Sequence, residues 1–110
     1  MKLIKCVVRE EKVDETTQAL KGLDLSGLTV SRVQGHGSRE RYMGCYRGLP
    51  YEFRLVPKMM IDIVAPDDLV DDVVRVVTES ARTGQVGDGR IFVMTVDEAY
   101  SIRTRQGGVA

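Results

Sequence analysis

A chain of 110 residues, 43% of them hydrophobic, is long enough for one domain around a modest core and too apolar to remain disordered. Its sixteen basic residues balance sixteen acidic ones, and a formal net charge of zero argues against a general nucleic-acid binder, which needs a cationic excess to release counterions from phosphates. No apolar run is long enough to span a bilayer. Arg9 cuts short the apolar stretch that an export signal would need behind Met1-Lys2-Leu3-Ile4-Lys5, so the expected location is cytoplasmic. Cys6 and Cys45 lack CxxC spacing and His36 is the only histidine, which speaks against a disulfide scaffold or a metal site.

In chain order, Leu3–Val8 is short, apolar and β-branched, and predicts a strand. From Lys12 the period changes to a helical one, with Val13, Thr17 and Leu20 on one face and Gly22 as the stop. Leu28–Val33 alternates at period two and predicts a half-buried strand. Gly35-His36-Gly37 breaks it. Residues 38–54 show no sustained period, and carry Arg39, Arg41, Arg47 and Arg54 among Tyr42, Tyr46 and Tyr51. A long irregular segment inside a small domain points to a projecting functional loop. Met59–Ala65 predicts the next strand, closed by Pro66, and Asp67 or Asp68 is placed to cap a helix in which Val70, Val73, Val74, Val77 and Ala81 recur. Residues 83–89 hold three glycines and precede the apolar run Ile91–Met94, which predicts a buried strand reaching Val96. The tail from Ser101 to Ala110 predicts a segment mobile at its end.

The order β-α-β, long loop, β-α-β predicts an α+β split sandwich: one antiparallel four-stranded sheet with both helices on one face. The bare sheet face then predicts a symmetric homo-oligomer. The glycine loop, flanked by Arg82 and Arg90, is either a tight turn or a cradle whose open amides meet phosphate oxygens. It fits neither the Walker nor the Rossmann pattern.

Thr83-Gly84, Gly87-Asp88-Gly89 and Ile91-Phe92-Val93 resemble the B-loop signature of the PII signal-transduction proteins. Tyr46-Arg47-Gly48 with Tyr51 and Pro57-Lys58 resembles that family's T-loop and return strand, Gly27-Thr29-Val30 and Gly35-Gly37 its second strand, and Ile102-Arg103-Thr104 its C-terminal segment. The resemblance spans nearly the whole chain. It implies one domain over residues 1–110, with a T-loop at about 37–54, a B-loop at about 82–90 and a C-terminal segment at about 97–110. It further implies a homotrimer of ferredoxin-like βαββαβ subunits that binds ATP or ADP in clefts between subunits, acts without catalysis, and docks its T-loop on enzymes, transporters or regulators of nitrogen metabolism. The positions implied to hold nucleotide are Thr29, Gly35, Gly37, Ser38, Lys58, Val64, Gly87, Asp88, Gly89, Arg90 and Arg103. Lys58 matches a residue that senses phosphate or 2-oxoglutarate, and taken alone reads as a solvated strand-end lysine. Tyr51 aligns with a tyrosine uridylylated in some members, and is otherwise an ordinary loop tyrosine.

The departures carry their own expectations. Arg39 stands where the family usually has a glutamine carbonyl that helps hold Mg2+ between ATP and 2-oxoglutarate, and a guanidinium has donors only. Ser38 and Ser101 replace usual arginines, and Arg90 replaces a usual lysine. These changes keep nucleotide binding and put the Mg2+-dependent 2-oxoglutarate site in question. Alternative readings are a sensor of adenine nucleotides with another small anion such as bicarbonate, in carbon metabolism, and a small phosphohydrolase on the same fold. The latter needs an asparagine at its phosphate loop, and the chain contains none.

Overall fold

A computed structural model describes residues 1–36, 44–46, 49–51 and 55–109. Strand β1 (Lys2–Val8) forms where the sequence predicts a strand, and its side chains alternate, burying Ile4, Cys6 and Val8 on one side. A 3-10 turn, Glu10–Lys12, leads into helix α1 (Val13–Leu20). Strand β2 (Gly27–Gly35) follows, then the short strands β3 (Gly44–Tyr46) and β4 (Leu49–Tyr51), and then the long strand β5 (Val56–Ala65). Helix α2 (Val70–Ala81) connects to β6 (Arg90–Thr95), and the chain closes with β7 (Glu98–Tyr100) and β8 (Gly107–Val109).

The main sheet is antiparallel in the order β2-β5-β1-β6, the split topology expected from the sequence. Register makes one face continuous: Ile4 lies opposite Ile63 and Val93, and Cys6 opposite Ile61 and Ile91. On that face Ile4, Cys6, Val8, Ile61, Ile63 and Ala65 form one core with Leu20, Val73, Val77 and Ala81 of the helices. Burial pushes the Cys6 thiol up to about 12, with the Asp62 carboxylate adding to the shift, so this cysteine is packing material and not a nucleophile. The opposite face carries the Lys5–Asp62 ion pair (3.3 Å) with Leu3, Val7, Met60 and Val64 partly exposed around it. None of the described helices is long and apolar enough to cross a membrane.

Five local expectations are corrected. Thr16, not Thr17, is the buried threonine of α1; its hydroxyl lies 3.2 Å from that of Ser80 on α2, so the helix–helix contact contains a satisfied polar pair that an apolar periodicity search passes over. Neither Asp67 nor Asp68 caps α2. A 3-10 turn occupies the start, and Asp67 instead accepts from the Met1 ammonium at 2.6 Å. The run Ile91–Met94 is not buried: Phe92 is 49% exposed, and Val93 and Met94 are also open, because β6 is the sheet edge. Within 38–54, the aperiodic segment contains the antiparallel pair β3–β4. The tail folds back, β8 pairing with β7 through a turn in which Arg105 takes a positive φ of 57°.

Candidate functional site

Helix α2 ends where Arg82 turns to extended backbone, and the chain then crosses from the helix layer to the start of β6 through the glycine loop. One carboxylate organises that loop. Asp88 accepts from the backbone amides of Thr83 (2.9 Å) and Gly84 (2.8 Å), from the Thr83 hydroxyl, and from Arg9 Nε (3.0 Å). Arg9 donates a second bond, from Nη2 to the Val86 carbonyl at 2.7 Å. The Lys58 ammonium donates to the Gly87 carbonyl, and the Gln85 amide donates to the Thr83 hydroxyl at 3.1 Å. Three of the loop's amides are therefore not open, since those of Thr83, Gly84 and Gln85 are occupied within the loop. The amides of Gly87, Asp88 and Gly89 take no part in this bonding.

Four donors stabilise the charged form of Asp88, the Thr83 hydroxyl most of all, and hold its carboxyl well below the usual carboxylate range. Because the folded value is depressed, the stabilisation is complete above the unfolded value of about 3.9 and is lost only as pH falls through the lower folded value. The Thr83 and Gly84 amide resonances are therefore expected to keep their native shifts down to about pH 3 in an NMR titration. A midpoint near 4 for those amides contradicts the bonding described. Asp88→Asn removes this pH dependence.

Gly87 and Gly89 require their residue type for different reasons. Gly89 has φ +108°, and a Cβ there would lie 1.7 Å from the Val7 carbonyl oxygen, so the loop touches the backbone of β1. Gly87 has φ +101°, and a Cβ would meet Arg9 Nη2 at 3.2 Å and Lys58 Nζ at 3.5 Å. Two cationic side chains therefore converge beneath the loop's apex. Lys58 is not a solvated strand-end lysine; it is 4% exposed. Gly35 lies beside it, the Lys58 Cγ standing 3.9 Å from where a Gly35 Cβ would be.

The remaining expected positions fall in two other places. Thr29 is opposite Asp62, and Val64 is opposite Gly27 and Leu3, so both lie towards the far end of β5, Val64 some six residues or ~20 Å from Lys58. Arg103 sits in the β7–β8 turn, exposed, and among the described residues it makes no hydrogen bond to the glycine loop. Arg82 and Arg90, flanking the loop, line one groove of about 330 Å3 with Gly89, Val77, Ala81 and Ile91. Gly37, Ser38 and Arg39 lie outside the described residues, as does the side chain of Tyr51, whose backbone belongs to β4.

Sequence reasoning missed Arg9 and Thr83 as organisers of the loop. Thr83 was legible in principle, since a threonine five residues before an aspartate across a glycine turn is a local side-chain staple. Arg9 offered no local signal: it is 79 residues from its partner.

The sequence profile described as "Nitrogen regulatory protein P-II" matches residues 1–106. The chain is 40% identical over 104 residues to the nitrogen regulatory protein P-II of Rhizobium etli, covering 94% of this chain and 93% of that one. It is 43% identical over 108 residues to nitrogen regulatory protein P-II 2 of Methanothermobacter thermautotrophicus (98% and 94% covered). Against the nitrogen regulatory protein GlnK of Escherichia coli K12 the identity is 36% over 110 residues (100% and 98% covered). Matched over nearly its whole length and built on the split α+β fold described above, the chain belongs to the nitrogen regulatory protein P-II family, as a regulator and not an enzyme.

Proposed function

We propose that this protein is a homotrimeric cytoplasmic signal-transduction regulator that binds ATP and ADP in clefts between subunits. Its T-loop, within 37–54, docks on partner proteins of nitrogen metabolism. The observation that carries this reading is the separation of the expected site residues. Lys58, Gly35, Gly87 and Gly89 gather at one end of β5, Thr29 and Val64 lie towards the other, and Arg103 extends on a separate hairpin. A single chain does not close this set around one nucleotide, whereas neighbouring copies packed through the uncovered sheet face bring one end against the other. The partly exposed Leu3, Val7, Met60 and Val64 on that face favour such packing.

The Arg39 side chain supplies no oxygen to a cation, so the signal read is ATP against ADP, and Mg2+-ATP does not recruit 2-oxoglutarate in the family's usual way. The test has two arms. Sedimentation equilibrium at micromolar protein is expected to give a trimer, and a monomer overturns the assembly. Calorimetric titration is expected to show both nucleotides binding, with no tight Mg2+-dependent uptake of 2-oxoglutarate into ATP-saturated protein. Tight uptake shows that Arg39 is tolerated at the metal site; absence of nucleotide binding overturns the reading itself.

A further inference from the structure

We propose that Arg9 is a positioning residue for nucleotide phosphate, holding the 86–88 apex of the glycine loop in its binding conformation without touching the ligand. The inference rests on the nucleotide-binding reading and deepens it. Arg9 is the first residue beyond β1, and the ladder sets Val7 of β1 opposite Arg90, the first residue of β6. The loop therefore re-enters the sheet beside the position where Arg9 leaves it. From there the guanidinium straddles Gly87: Nε donates to Asp88 on one side and Nη2 to the Val86 carbonyl on the other. A planar fork spans two acceptors in a fixed geometry, which a lysine point charge does not do.

Two observations separate positioning from direct binding. The Arg9 and Asp88 side chains are each only 24% exposed, and their charges are paired at 3.0 Å, so a phosphate would have to displace a carboxylate to reach this guanidinium. Arg90, by contrast, is exposed and forms no ion pair among the described residues. Arg9 also comes within 3.2 Å of where a Gly87 Cβ would stand, so it fills the space behind the apex as well as bonding it. Without the fork, the loop keeps the Thr83 and Gly84 bonds at its base, but at its apex it loses both Arg9 ties and retains only the Lys58 bond to the Gly87 carbonyl. The fraction of molecules with a binding-competent loop then falls, and apparent affinity falls in proportion.

The test is ADP titration calorimetry on full-length trimers, with sedimentation confirming assembly of each variant. Arg9→Ala is expected to weaken ADP binding about tenfold, the scale of one charge-assisted bond. Arg9→Lys is expected to recover part of that loss, because it restores the pair with Asp88 and not the bond to Val86. The double variant Arg9→Ala with Asp88→Asn is expected to lose no more than the weaker-binding single variant, since both substitutions break one unit. Backbone amide NMR order parameters without nucleotide supply a readout independent of binding: those of Gly87 and Asp88 fall in Arg9→Ala, and saturating ADP restores them. Wild-type protein that binds ADP alongside an Arg9→Ala variant of equal affinity overturns the proposal alone, as do fully additive losses in the double variant. Wild-type protein that binds no ADP overturns the functional reading and this inference with it.

Discussion

Gly89→Ala is expected to destabilise the fold by about 3–5 kcal/mol, a large share of the 5–15 kcal/mol that holds a typical domain together. The added methyl would sit 1.7 Å from the Val7 carbonyl oxygen and 2.8 Å from its carbon, both backbone atoms of the central strand β1. No rotamer relieves that clash. The φ of +108° adds a second penalty, because L-residues with a Cβ rarely occupy it. The chain must either pull β6 from β1 or tear the loop from the sheet, and both expose the apolar groove beside Ile91. Gly84→Ala is the control. Its φ is +88° but nothing lies within 4 Å of where its methyl would stand, so it is expected to cost about 1–2 kcal/mol. Urea unfolding followed by circular dichroism distinguishes the two. Equal midpoints for both variants refute the clash argument.

Arg90→Ala and Arg103→Ala are each expected to lower affinity for ATP and ADP by about 10- to 150-fold, the loss of a charge-assisted phosphate contact of roughly 1.5–3 kcal/mol. Their places in one chain sharpen this expectation. Arg90 opens β6 beside the glycine loop, whereas Arg103 sits in the β7–β8 turn. If one cleft draws them from different subunits, co-assembling the two variants regenerates intact sites wherever an Arg103→Ala chain offers its Arg90 to an Arg90→Ala neighbour's Arg103. Mixed trimers are then expected to bind nucleotide at near wild-type affinity in a fraction of their sites. Mixed trimers with no recovered sites show that both arginines act within one chain. Unchanged affinity in both single variants removes the phosphate role altogether.

The existence of β1 and the spacing of Val73, Val77 and Ala81 were legible because each is a local consequence of one element lying on one core. The burial of β6 was misread for the same reason. Ile91–Met94 has the composition of a central strand, and only the order β2-β5-β1-β6 makes it an edge. The tail's pairing was hidden because Gly107 and Gly108 read as loop residues, whereas φ values of 148° and 135° let them continue a strand beside Ala99. The B-loop was recognised from its glycines, yet its internal order was not. Asp88 was counted among the nucleotide-holding positions with no role for its side chain, and its carboxylate oxygens face Thr83, Gly84 and Arg9. Such a carboxylate and one that binds outward look identical in sequence, because the difference lies in which donors the fold delivers.

The tie between Arg9 and Asp88 also orders events in time. Contacts this distant in sequence close only after much chain entropy has been lost, and slow the folding of chains that depend on them. A nascent chain that has emerged only through α2 can lay β1 beside β5 and β5 beside β2, and bury much of its core. Its β1 then presents a bare edge, and Arg9 has no carboxylate to meet. An uncapped central strand is a template for another copy of itself. Emergence of residues 88–95 removes both hazards at once, so the segment that makes the cradle competent also ends the interval in which the chain is prone to aggregate.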